Sequence, residues 1–332
     1  MCCDGRARVL DAAGKMKSAL WLLLGALVCA VAYPVSYSAP GRWDASTDPS
    51  RDCTSKFLCS SANRTWVAPG TRQFDHVSGC KALLDKGITR ILFHGDSFMR
   101  QIYAGLLITL NGNYVNGSIA DTAFARSTGS AECVYHKQFY EKKCGVRQLN
   151  HRGLVCDGKV LLDPILAGID NLNHCSTHNG TVALFSFGNY KIGSAYRHGI
   201  NNATVYSDFF KRTICPHVQA RADAAAGSNA INPAAEKTCS LWWVSTHARL
   251  KAYFTDEEPQ LIQSYNEGMR GFYDSRGCGP VNYIDVFNMT ANLVTSSPRP
   301  EAEALSYDMV HWGMEVNLVK AQIILNALSQ PW

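Results

Sequence analysis

Four short apolar runs limit what this chain can fold into: "RILFHG" (90–95), "TVALFSFG" (181–188), "SLWWVST" (240–246) and "VNYIDVF" (281–287). Short runs with so little polar alternation read as strands buried on both faces. Helical patterns lie between and after them. Ser97–Leu110 carries apolar residues at 98, 102, 106, 107 and 110. Pro259–Tyr273 opens on a proline behind Asp256, Glu257 and Glu258, a strong helix start. "GMEVNLVKAQIILNALS" (313–329) closes the chain with Val316, Val319, Ile323 and Leu328 near one face. Strands alternating with helices predict a three-layer α/β fold: a parallel sheet with helices on both faces. Ligands of such sheets bind beyond the carboxyl ends of the strands. Gly95-Asp96-Ser97 stands at one of those ends and Asn189 at another.

The ends of the chain carry a different message. No charged residue lies between Lys17 and Arg42, and the apolar stretch "ALWLLLGALVCAVA" (19–32) is short for a membrane span of about 20 residues. It fits a secretory signal with Ala30-Val31-Ala32 as cleavage site, or a signal anchor with its basic end in the cytosol; Met16 could serve as the start. Residues 1–33 are therefore read as signal peptide or anchor, 34–52 as a proline-containing stem, and 53–332 as one catalytic-sized domain. "QARADAAAGSNAINPAAEK" (219–237) and "NMTANLVTSSPRPEAEALS" (288–306) read as surface excursions, the second a loop marked by proline and serine.

Of 13 cysteines, Cys2, Cys3 and Cys29 fall in the targeting region. The other ten (53, 59, 80, 133, 144, 156, 175, 215, 239 and 278) are dispersed, which suits disulfides in an oxidising compartment. Their pairing is open; Cys53 and Cys59 are only the nearest in sequence. No C-x-x-C or paired ligand spacing points to a metal, and no cofactor is expected. Sequons at Asn63, Asn116, Asn179, Asn202 and Asn288 agree with passage through the secretory pathway, to the Golgi lumen or outside the cell. A formal net charge of +5, part of it in the N-terminal segment, with no basic run, excludes a nucleic-acid footprint. Membrane contact is expected only through the N-terminal anchor.

Ser97 begins a helix at the end of a strand. A serine hydroxyl needs a base within hydrogen-bond reach, and the base needs a group to fix its tautomer. His311 follows a loop at the mouth of the last helix, and Asp308 lies three residues before it. This gives a proton path from Ser97 to His311, with Asp308 behind the imidazole. The Ser97 N–H and the Asn189 amide are the candidate oxyanion donors, and loss of one such donor typically costs about 2.7–4 kcal/mol of barrier. G-D-S and D-x-x-H also occur as simple helix caps. His247 in "WWVSTHARL" (242–250) is a rival base; Arg100 is a candidate contact for an anionic substrate or a partner of a helix-surface carboxylate, and Trp242 and Trp243 are candidates to stack on a sugar ring, with core packing favoured for at least one of them.

"FHGDSFMRQ", "DVF" and "YDMVHWGMEVNLVKAQIILNAL" together resemble the SGNH (GDSL-type) hydrolase superfamily. Arg100-Gln101 after the serine and Trp312 after the histidine resemble its PC-esterase group, which includes the plant trichome-birefringence-like proteins and the sialic-acid acetyltransferase type. The third block here is "SFGNY", with its glycine one place late, and Gly313 stands where the plant members carry cysteine. Gly129, Gly153 and Gly158 are all open as the second-block glycine. The resemblance implies an enzyme that moves or removes acyl groups, usually acetyl, on sugar hydroxyls. Its partners would be a glycan or polysaccharide and, for transfer, an acetyl donor. A catalytically inactive glycan-binding or cell-surface protein on the same fold is the other reading.

Overall fold

The computed structural model describes residues 36–38, 41–45, 64–112, 153–165, 180–186, 240–250, 258–274, 281–306 and 309–331. Its centre is a seven-stranded sheet in the order β1-β9-β8-β7-β4-β6-β5. The strands are β1 (Ser36–Ser38), β4 (Arg90–Gly95), β5 (Gly153–Val155), β6 (Val160–Ile165), β7 (Thr181–Ser186), β8 (Ser240–Val244) and β9 (Asn282–Asp285). All neighbours pair in parallel except β5, which runs antiparallel to β6. From β4 the chain passes to β6 on one side, then returns to β7 on the other and continues outward. That reversal makes the carboxyl end of β4 a topological switch point, the place where such sheets bind ligands.

The six described helices are α1 (His76–Asp85), α2 (Ser97–Asn111), α3 (Glu258–Asp274), α4 (Phe287–Ser296), α5 (Arg299–Ala304) and α6 (Met314–Ser329). Successive strand residues point to opposite faces. Ile91, Phe93, Val182, Leu184, Trp242, Val244 and Ile284 join one apolar core with α2 and α6. On the other face Phe185 and Trp243 meet edge-to-face, and Trp243 meets Tyr265 of α3. Both faces are thus covered, and the three-layer α/β expectation holds. The Gln322 and Asn326 side chains of α6 each exchange two hydrogen bonds with the backbone, at Phe74 and Arg72, and dock the segment leading into α1. Gly105 brings α2 and α6 into close approach: a Cβ there would lie 2.5 Å from the Asn317 carbonyl oxygen.

The strands over 90–95, 240–246 and 281–287 and the helices over 97–110, 259–273 and 313–329 form where the periodicity put them, with ends shifted by a few residues. Two expectations are corrected. Residues 34–52 are not wholly a stem: β1 pairs with β9 at the sheet edge, and β2 (Arg42–Ala45) pairs antiparallel with β3 (Arg64–Val67). Both strands are three or four residues long, too short to leave a pattern. Residues 288–306 are not a loop but hold most of α4 and all of α5. The Asp285 carboxylate accepts the Phe287 and Asn288 N–H groups and starts α4, whose Phe287, Met289, Thr290 and Leu293 are buried. Pro298 precedes α5, with proline in its first turn, so here proline opens a helix rather than breaking one.

Cys80 of α1 and Cys156 form a disulfide. A cleft of about 470 Å³ beside it is lined by residues such as His76, Leu110, Asn111 and Lys159, at the amino end of β6 and therefore far from Ser97. Of the five sequons only Asn288 is described; it is exposed, and its amide donates to Asp285. The signal or anchor segment and the 219–237 excursion lie outside the described residues. Among those described, no helix is long and apolar enough to cross a membrane.

Candidate active site

β4 delivers Ser97 through a turn that only glycine permits. A Cβ on Gly95 would sit 2.1 Å from the Ser186 carbonyl oxygen of β7 and 2.6 Å from Met99 Cγ. Asp96 then caps α2 by accepting the Phe98 N–H at 3.0 Å. Ser97 is the first residue of the helix, so its N–H belongs to the set that helical bonding leaves pointing out of the helix end. Its side chain is half-buried rather than sealed in the core.

His311 comes from the far end of the chain, and its Nε2 lies 2.7 Å from Ser97 Oγ. With Nε2 unprotonated, the serine hydroxyl donates to it, which is the geometry a general base requires. The short segment carrying His311 is tied down on several sides. Ser306 Oγ accepts the Met309 N–H at 3.1 Å and donates to the His311 carbonyl at 2.7 Å. The Gly313 N–H donates to the Leu305 carbonyl at 2.6 Å. Trp312 is buried and its Nε1–H donates to the Ala248 carbonyl at 2.7 Å. The Asn317 amide of α6 donates to the carbonyls of Trp312 and Gly313, at 2.8 and 2.7 Å. Met309 holds φ +66°, a left-handed conformation unusual for a side-chain-bearing residue.

Phe98, the neighbour of the serine, links the two halves of the site. Its ring stacks on His247 at 3.6 Å between centroids and meets His311 edge-on at 5.5 Å. The guanidinium of buried Arg249 lies over the same ring at 5.5 Å. His247 is itself buried, with Nε2 3.1 Å from the Val310 carbonyl and Nδ1 2.7 Å from Lys320 Nζ. Burial, and then the neighbouring Lys320, hold the His247 pKa well below the usual histidine value. Burial likewise lowers the Lys320 amine. Both His247 nitrogens are engaged elsewhere, and of the two histidines it is His311 whose ring nitrogen meets Ser97 Oγ.

The other expected site residues divide clearly. Asp308 and Asn189 lie outside the described residues. Trp242 and Trp243 are both fully buried in the sheet, which corrects their assignment as sugar-stacking residues: neither presents a ring face to a ligand. Arg100 is half-buried in the first turn of α2, where its N–H donates to the Asp96 carbonyl. Gly158 lies in the turn before β6, at the opposite end of the sheet from Ser97, and is no oxyanion donor. Gly153 faces Leu107 and Tyr103 of α2, and Gly129 lies outside the described residues. Sequence reasoning missed Lys320. Its signal was a lysine at a helix position flanked one turn either way by the apolar Val316 and Ile323-Ile324.

Comparison with protein-family models, curated proteins and solved structures finds no match to this chain. The chemical content of the site therefore rests on its own geometry: an accessible alcohol at a helix start, hydrogen-bonded to an imidazole, at the switch point of a parallel sheet.

Proposed function

We propose that the protein is a serine-dependent acyl-ester enzyme acting on glycans, adding O-acetyl groups to sugar hydroxyls or removing them. The observation that carries this reading is the 2.7 Å contact between Ser97 Oγ and His311 Nε2, made by residues 214 positions apart. In the proposed cycle His311 takes the Ser97 proton as the oxygen attacks the acyl carbonyl. The resulting imidazolium protonates the departing alcohol, leaving an acyl–Ser97 ester. His311 then takes a proton from the incoming acceptor, and the released serine regains it. Water as acceptor yields a carboxylic acid, as in an esterase; a sugar hydroxyl yields a new ester, as in an O-acyltransferase. Asp308 is assigned to orient His311, and the Ser97 N–H and Asn189 amide to receive the oxyanion. The glycan substrate class comes from the resemblance of the G-D-S and D-x-x-H-W segments to the PC-esterase group. A secretory-pathway location, Golgi-lumenal or secreted, belongs to the same proposal.

The test is acetyl release from a panel of O-acetylated glycans, run with and without added sugar acceptor, comparing wild type with Ser97→Ala. Release that depends on Ser97 supports the enzyme, and acceptor-dependent formation of a new ester marks a transferase. Glycan binding that persists unchanged in Ser97→Ala, with no turnover by either protein, would instead favour a non-catalytic binding protein.

A further inference from the structure

Between α6 and the catalytic base runs a chain of buried polar contacts that the acyl-transfer cycle does not use. Lys320 Nζ donates to Asn317 Oδ1 at 3.0 Å and lies 2.7 Å from His247 Nδ1. An amine that donates to Nδ1 leaves the neutral imidazole with its proton on Nε2, and that N–H points at the Val310 carbonyl, 3.1 Å away. Val310 immediately precedes His311. The same imidazole stacks on Phe98, which immediately follows Ser97. One ring thus touches both strands of the catalytic contact. Hydrogen bonding fixes it on the His311 side and stacking on the Ser97 side. A buried lysine facing a histidine without a carboxylate between them is a costly way to fill a core, and simple packing would be served better by an apolar side chain.

We infer that Lys320 and His247 form a positioning dyad: the Lys320 amine locks the His247 tautomer, and His247 holds the Val310 peptide and Phe98 so that His311 stays in register with Ser97. This inference rests on the acyl-enzyme reading above for its consequence, but not for its geometry. Neither residue contacts the reacting atoms; they act through Val310 and Phe98. Replacing Lys320 by methionine keeps the length of the stem and removes the donor. The imidazole can then carry its proton on Nδ1 and turn a lone pair toward the Val310 carbonyl, which repels it. Replacing His247 by glutamine keeps one donor and one acceptor, whereas leucine keeps neither.

Two readouts on the full chain test this. The first is the rate at which a fluorophosphonate labels Ser97, normalised to folded protein by circular dichroism. Lys320→Met and His247→Leu are expected to label about 10-fold more slowly or worse, the scale of a small misplacement of reacting groups. His247→Gln should recover to within about threefold of wild type, because it restores the hydrogen-bond pattern. A merely structural role would lower the melting temperature of all three without changing labelling per folded molecule, and that result overturns the proposal.

The second readout is the ring ¹⁵N spectrum of histidine-labelled protein, which does not depend on reactivity. Among the described residues, the groups acting on His247 are Lys320 from α6, Arg249 on its own segment, the Val310 carbonyl and His311, and the stacked Phe98 ring. In the wild type the His247 proton is expected on Nε2, with the ring still neutral at the pH where an ordinary histidine is half-protonated, and the His311 ring signals should shift in Lys320→Met. If wild-type Ser97 is never labelled, the acyl-enzyme reading fails while the ring spectra still judge the dyad. A His247 that titrates like an exposed imidazole, or His311 signals unmoved by Lys320→Met, overturns the dyad itself.

Discussion

At Gly95 the site depends on the absence of one atom. The strand-to-helix turn brings its Cα so close to β7 that an added Cβ would overlap the Ser186 carbonyl oxygen, a backbone atom that cannot rotate away. Gly95→Ala is therefore expected to destabilise the fold by about 2 kcal/mol or more and to abolish Ser97 reactivity. Urea unfolding and fluorophosphonate labelling read the two effects, and an alanine variant with wild-type stability would contradict the contact. Ser97 itself could be found from the sequence because a strand, a glycine turn and a helix start coincide there. His311 was legible for a similar reason, standing between a loop and a helix. Lys320 was harder to read: Val316 and Ile323-Ile324 put it on an apolar face, but a lysine there can equally run its stem along that face and reach the surface. The tryptophan pair was open in the sequence because large aromatic rings serve cores and sugars equally well; burial on both faces of β8 decides for the core in both cases.

Among the elements, α2 and α6 carry the site. Ser97 opens α2, His311 lies just before α6, and the two helices approach closely at Gly105, opposite the Asn317 carbonyl and Ala321. A methyl group at Gly105 would push the helices apart beside Asn317, whose amide also holds the carbonyls of Trp312 and Gly313. Gly105→Ala should cost about 1–3 kcal/mol of stability, the usual range for overpacking, and should slow Ser97 labelling of the molecules that remain folded. Unchanged labelling would separate the helix contact from the placement of His311. The long elements were legible because their apolar periods are sustained; α4 and α5 were not, because a carboxylate cap and a proline at a helix start look like loop residues when read singly. α1 has a Asp75–Ser78 capping box that could have marked it. The short strands β1, β2, β3 and β5 take their conformation from their partners, and three or four residues cannot display a period.

For the whole molecule, the disulfide and the Ser97–His311 contact lie at different ends of the sheet. The Cys80–Cys156 disulfide spans 76 positions and ties α1 to the turn before β6, away from Ser97. Replacing both cysteines by alanine should lower stability by about 2–4 kcal/mol while leaving labelling of folded protein unchanged; loss of labelling at retained stability would contradict that separation. Glu315, buried in the first turn of α6, supplies a pH dependence. Burial raises its carboxyl from the ordinary 4.5 to about 7. Below the unfolded value both states hold the proton and folding carries no penalty. As pH rises through the folded value the native state loses stability, up to about 3 kcal/mol. Glu315→Gln should therefore stabilise the protein near pH 8 and have little effect near pH 4, as followed by urea unfolding. A variant whose stability keeps the wild-type pH slope would contradict the buried-acid account. The central claim is that Ser97 is made reactive by His311, and mass spectrometry of the fluorophosphonate-treated full chain tests it most directly. The account predicts an adduct on the peptide carrying Ser97 that His311→Ala abolishes. No adduct on that peptide, or one formed at the same rate without the imidazole, would contradict it.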